Sequence, residues 1–156
     1  MIFDVNKLKE IMDLVRNNPA YLPTRDKNGV LITFCNENAF HVAQSLVLNL
    51  FWNEKENRVM LANEMYDYMD STPVRFSKFT DHLAAWDIAN KGYLVYAAQQ
   101  GEAHGHICPI YPNQSLETSG KWGVQVPVCS NVGAKNAVFG VNYAFADPPT
   151  YYMVIS

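Results

Sequence analysis

The spacing of the apolar residues changes once along this chain, and that change limits the fold more than any other feature. As far as Gly92 apolar residues recur three and four positions apart, and from Tyr93 onward they alternate. Helices first and strands afterwards is the order of an α+β domain, with helices packed on an antiparallel sheet. Leu8, Ile11, Met12 and Val15 predict an amphipathic helix over 4–17, with Asp4 or Asn6 as its N-cap. A second helix is expected over 35–51. Its inner stripe is Cys35, Ala39, Val42, Leu46 and Leu50, widened by Ala43 and Val47, and Thr33 is the candidate N-cap. Helices over 60–69 and from Thr80 to the Lys91-Gly92 stop complete the first half. Strands are expected over 93–98, 105–111, 123–131, 139–146 and 151–155, with Pro127 making the third an edge or a bulge.

No repeat or linker divides the 156 residues, and the hydrophobic share of 49% suits one domain over 1–156 with one core. A net charge of −3 leaves no basic footprint, which argues against nucleic acid or an anionic membrane surface as partner. The apolar stretch 40–52 is too short to span a bilayer. Met1-Ile2-Phe3-Asp4-Val5-Asn6-Lys7 has neither the basic start nor the apolar core of a signal peptide, so synthesis in the cytoplasm is expected. Cys35, Cys108 and Cys129 are too few for a disulfide framework, and the odd count leaves a free thiol, expected to be Cys35. The other two are expected as packed, reduced thiols.

The chemistry begins with Cys35 at a helix start, where unpaired N–H groups and the helix dipole favour a thiolate and lower its pKa. Downstream, Glu102-Ala103-His104-Gly105-His106-Ile107 brings imidazoles to the start of a strand. If 105–111 and 123–131 pair antiparallel with His106 opposite Asn131, Cys108 falls opposite Cys129. All four side chains then share one face, expected to pack against the Cys35 helix. In that arrangement Cys35 is the nucleophile, His106 the base and Asn131 the group that orients the imidazole. N–H groups at the helix start would hold the oxyanion, and an amide would be cleaved through a thioester. Ser130 and Asn136 lie close enough to remain alternatives for the third role. His104, Trp86 and Trp122 are candidate substrate contacts at the groove, the tryptophans equally candidates for the core.

These residues resemble a family. A cysteine opening a helix, a Gly105-His106-Ile107 strand and a polar third member on the next strand look like the papain-like cell-wall amidases and endopeptidases of the CHAP and NlpC types. The resemblance covers roughly 33–133 and implies a papain-like α+β fold and cleavage of peptide or sugar-peptide amides in peptidoglycan, without a cofactor. Phage lysins and secreted antibacterial amidases belong to this group. Action at the cell wall or in the periplasm after release or delivery is therefore implied, by a monomer with a cognate immunity or delivery protein as partner. The flank Cys35-Asn36-Glu37-Asn38 departs from the aromatic-rich one of many members, and no separate wall-binding domain is recognisable.

Two other readings compete. His104 and His106 alternate along a strand and could ligate zinc in a metal-dependent hydrolase, although no Asp/Glu-His partner motif accompanies them. A non-catalytic binding or immunity-type module of the same fold would leave Cys35 as a buried small hydrophobe. His41 and His82 read as ordinary helix residues.

Overall fold

Asp4 opens the first helix, its carboxylate accepting the Lys7 N–H at 3.0 Å, and α1 (Val5–Arg16) follows with Leu8 and Met12 buried. The computed structural model describes residues 1–156. A hairpin of β1 (Thr24–Arg25) and β2 (Leu31–Ile32) leads into α2 (Cys35–Ser45), and a second, β3 (Trp52–Asn53) with β4 (Arg58–Val59), into α3 (Ala62–Asp70). Then come β5 (Phe76–Phe79), α4 (His82–Asn90), β6 (Val95–Gln99) and β7 (His106–Pro109). The chain ends through β8 (Glu117–Ser119), β9 (Val124–Val126), β10 (Val128–Asn131), β11 (Ala137–Gly140), α5 (Val141–Ala144) and β12 (Thr150–Val154).

The fold is α+β, with five helices and antiparallel sheets. The central sheet runs β5-β12-β6-β7, so the last strand inserts between two earlier ones. Both faces of this sheet are covered. On one, Leu8 and Met12 of α1, Ala39 and Val42 of α2 and Met65 and Met69 of α3 pack with Tyr96, Ala98, Ile107 and Tyr152. On the other, Ala85 and Ala89 of α4 and the β9–α5 segment pack with Val95, Ala97, Cys108, Ile110 and Tyr151. Tyr96 also donates its hydroxyl to Ala39 O at 2.8 Å, fastening α2 to the sheet. No helix is long and apolar enough to cross a membrane.

Several expectations need correction. Thr33 does not cap α2: Phe34 holds the cap position and no side chain bonds the first turn. Asp81, not Thr80, caps α4 through the Leu83 and Ala84 N–H groups. Helix α2 stops at Ser45 rather than 51 because Val47 takes a left-handed conformation at φ 60°. Val47 N–H then bonds Gln44 O and Leu48 N–H bonds Ala43 O, the paired closure of a Schellman end. Val47 is 93% exposed, so it leaves the inner stripe. Pro127 splits the third expected strand into β9 and β10, and the expected strand 139–146 divides into the end of β11 and the four-residue α5. Strand β5 was not expected at all; its Phe-Ser-Lys-Phe sequence is short and borders the sheet.

A β-branched residue at positive φ costs on the order of 1–3 kcal/mol. Val47→Gly relieves that strain and removes an already exposed side chain. It should raise stability by about 1 kcal/mol, read as a higher urea midpoint at unchanged m-value.

Candidate active site

Strand β7 begins where the chain can first approach α3 closely. A Cβ on Gly105 would collide with the Asn63 side chain and with Gln99 O, so only glycine fits just before His106. Asn63 holds the preceding loop as well, donating to Gly101 O at 2.9 Å and accepting the Gly101 N–H at 3.1 Å. His106 then pairs with Gln99 of β6, and Ile107 with Ala98.

Strand β10 sits beside β7, but shifted from the expected register. Ile110 lies opposite Cys129, and Tyr111 N–H donates to Val128 O at 2.9 Å. The displacement is two residues: β10 spends its ladder on β11 and meets this part of the chain at a single bridge, one residue past the end of β7. A shift of two keeps each side chain on its face. His106 therefore still meets Asn131, with Nε2 and Oδ1 2.7 Å apart, and the Cys108 and Cys129 thiols still meet, both buried and free. Their face is not the one expected, however. Ile107 is the residue that packs among the α2 side chains, while Cys108 joins the opposite core and His106 lies 5.1 Å from the Phe145 ring.

The amide of Asn131 is oriented by a second bond: Nδ2 donates to Lys135 O at 2.8 Å. This turns Oδ1, which can only accept, toward the imidazole. Nε2 of His106 must then carry the proton, and in the neutral ring Nδ1 keeps a free lone pair. The other two candidates for this role are occupied elsewhere. Ser130 Oγ faces α1, accepting from Arg16 Nη1 at 2.8 Å, and Asn136 bonds Gly133 N–H and Tyr21 O, both at 2.9 Å.

Cys35 opens α2 and joins the core on the Ile107 side of the sheet, opposite the face of Cys108 and His106. Asn36 donates to Met60 O at 3.0 Å, and Asn38, one turn into the helix, donates to Ser130 O at 3.1 Å, tying α2 to the strand that carries Asn131. The backbone N–H of Ile107, next to His106, favours the Cys35 thiolate, and so do the N–H groups of Asn36 and Cys35. Because α2 has no side-chain cap, those two donors are spent on nothing else. Burial nevertheless outweighs all three: Cys35 is 7% exposed, and its thiol is pushed up rather than down. The expected low-pKa thiolate is thus corrected. Burial likewise lowers His106, against the smaller opposing effect of its bond to Asn131. Both shifts favour the neutral form, thiol at Cys35 and imidazole at His106.

A cavity of about 580 Å³ opens along His106 and Asn131. Thr33, Gly133, Ala134 and Lys135 also line it, and Cys35 does not. Phe139, Tyr143 and Ala144 close the rim. A side chain at Gly133 would press on His106 Cε1 and Asn131 Nδ2, at 3.3 and 3.4 Å from its Cβ. The three candidate substrate contacts lie elsewhere. Trp86 donates its indole N–H to Asn113 O at 2.7 Å, and Trp122 stacks on His82, whose Nδ1 is 2.6 Å from the Tyr151 hydroxyl. His104 is exposed and does not line the cavity. The lining by Lys135 was not anticipated. Its one trace in the sequence is the turn-forming run Gly133-Ala134-Lys135-Asn136, which must fold back beside Asn131.

Nowhere do three His, Cys, Asp or Glu side chains gather so as to hold a metal ion. His104 and His106 thus gain no third ligand. No protein-family model matches the chain, and no curated protein matches its sequence.

The depressed His106 predicts a pH dependence of stability. The unfolded imidazole takes up a proton near its ordinary 6.5 while the folded one does not, so the unfolded state is favoured as pH falls below that value. Urea midpoints should be level just above pH 7 and fall between pH 6.5 and 5. In His106→Gln the fall should be shallower, with a remainder from His82, which burial also lowers.

Proposed function

We propose that the protein is a cysteine amidohydrolase or endopeptidase of the papain-like α+β type, cleaving amide bonds in bacterial peptidoglycan. One observation carries this reading. Cys35 stands at an uncapped helix start facing the Ile107 N–H, while the adjacent His106 is held by Asn131 with Nδ1 free. As the sulfur attacks the amide carbon, Nδ1 takes the thiol proton. The carbonyl oxygen becomes an oxyanion, stabilised by N–H groups at the start of α2. The imidazolium returns its proton to the departing amine, leaving a thioester on Cys35. Water, deprotonated by the same nitrogen, releases the acid and restores the thiol. Asn131 keeps the ring in the reactive tautomer throughout.

The neutral resting pair places proton transfer within the attack step. Substrate that excludes water from the cavity strengthens the helix-start donors at the moment charge develops. The peptidoglycan assignment rests on the resemblance of the Cys35 helix start, Gly105-His106-Ile107 and Asn131 to papain-like cell-wall amidases.

Digestion of purified sacculi, followed by mass spectrometry of the released muropeptides, tests the reading. Wild-type protein should release new termini, and Cys35→Ala should release none. His106→Ala should lose at least about 100-fold in rate, and a chelator should change nothing. Release of the same termini by Cys35→Ala would end the proposal. Because Nδ1 must be unprotonated, kcat/KM should fall on the acid side with a midpoint below 6.5, the ordinary imidazole value.

A further inference from the structure

The cavity beside His106 carries a charge pattern that the proposed cleavage does not use. Among its lining residues the only fixed charge is the Lys135 ammonium, and no carboxylate faces it. This is the reverse of the chain as a whole, whose net charge is −3. Lys135 is exposed and makes no ion pair within the protein.

Its main chain, by contrast, is held firmly. Lys135 O accepts from Asn131 Nδ2 at 2.8 Å, so the cation stems from the residue that also orients the His106 partner. Asn136 bridges Gly133 N–H and Tyr21 O, closing the loop on both sides. A lysine whose backbone is fixed but whose ammonium is unpaired suits a ligand anion, since little backbone order is lost on binding. Across the rim, the Phe139 and Tyr143 rings lie 5.8 Å apart and offer apolar contact to the stem that carries the anion.

We propose that Lys135 is a specificity residue that pairs with a carboxylate on the substrate, next to the amide presented to Cys35. The site therefore selects acidic peptides over their amidated counterparts. This rests on the amidohydrolase reading for the position of the amide, but not for the anion site itself.

Binding by the Cys35→Ala protein separates the two. The probes are soluble muropeptides from sacculi, used native and after their carboxyl groups have been converted to amides. Titration calorimetry at low salt should give about fivefold tighter binding of the native peptides, the scale of one partly screened ion pair. Lys135→Gln should abolish the preference and Lys135→Arg keep it. Lys55→Gln, which changes net charge equally away from the cavity, should also keep it. Equal affinity for both probes, no binding of either, or a preference that survives Lys135→Gln would overturn the proposal. A Lys135-dependent preference in a protein that cleaves nothing would support the anion site and reject the amidohydrolase.

Discussion

The arrangement around His106 depends on one amide held from both ends. Asn131 gives its Nδ2 to Lys135 O and its Oδ1 to the imidazole, and each bond fixes the meaning of the other. Without the first, the amide could turn over and offer a donor to the ring. With it, the ring must carry its proton on Nε2, and the basic nitrogen is decided before any substrate arrives. The same residue links the loop that lines the cavity to the strand beside β7, and Asn38 of α2 reaches the residue immediately before it. Imidazole, helix and cavity wall are thus positioned through one short segment of β10.

Around the thiol two effects oppose one another. The helix start and the Ile107 N–H favour the anion, and burial disfavours it; burial prevails. A free thiolate at rest would require more water or a cationic neighbour than this site provides. What remains is a set of donors already turned toward the sulfur. Such donors gain most when water leaves, because they need not reorganise. If Cys35 is the proposed nucleophile, its acidity in the free protein is a poor measure of its reactivity.

Much of this was legible in the residues. The 3.6-residue spacing of Leu8, Ile11, Met12 and Val15 located α1, Cys35 fell at the first position of α2, and Gly105-His106-Ile107 opened β7. The shared face of His106 and Asn131 followed from strand alternation, which survives a register shift of two. Which side of the sheet that face would meet was not legible, because alternation relates side chains to each other and not to a distant helix. The end of α2 was hidden for a local reason: Val47 occupies a left-handed position usually marked by glycine or asparagine. Helix α5 is shorter than any window over which periodicity can be read. The cavity lining at Lys135 comes from a loop that folds back beside β10, a tertiary event without a periodic signature.

The Asn131 amide holds His106 as the neutral Nε2–H tautomer, with Nδ1 unbonded within the protein. Long-range ¹⁵N–¹H correlation spectra of the imidazole, recorded across pH 5 to 8, test it directly. The account predicts an Nε2-bound proton at neutral pH and protonation of Nδ1 only below pH 6.5, the ordinary imidazole value. An Nδ1–H tautomer at neutral pH, or an imidazolium persisting above 6.5, would contradict it.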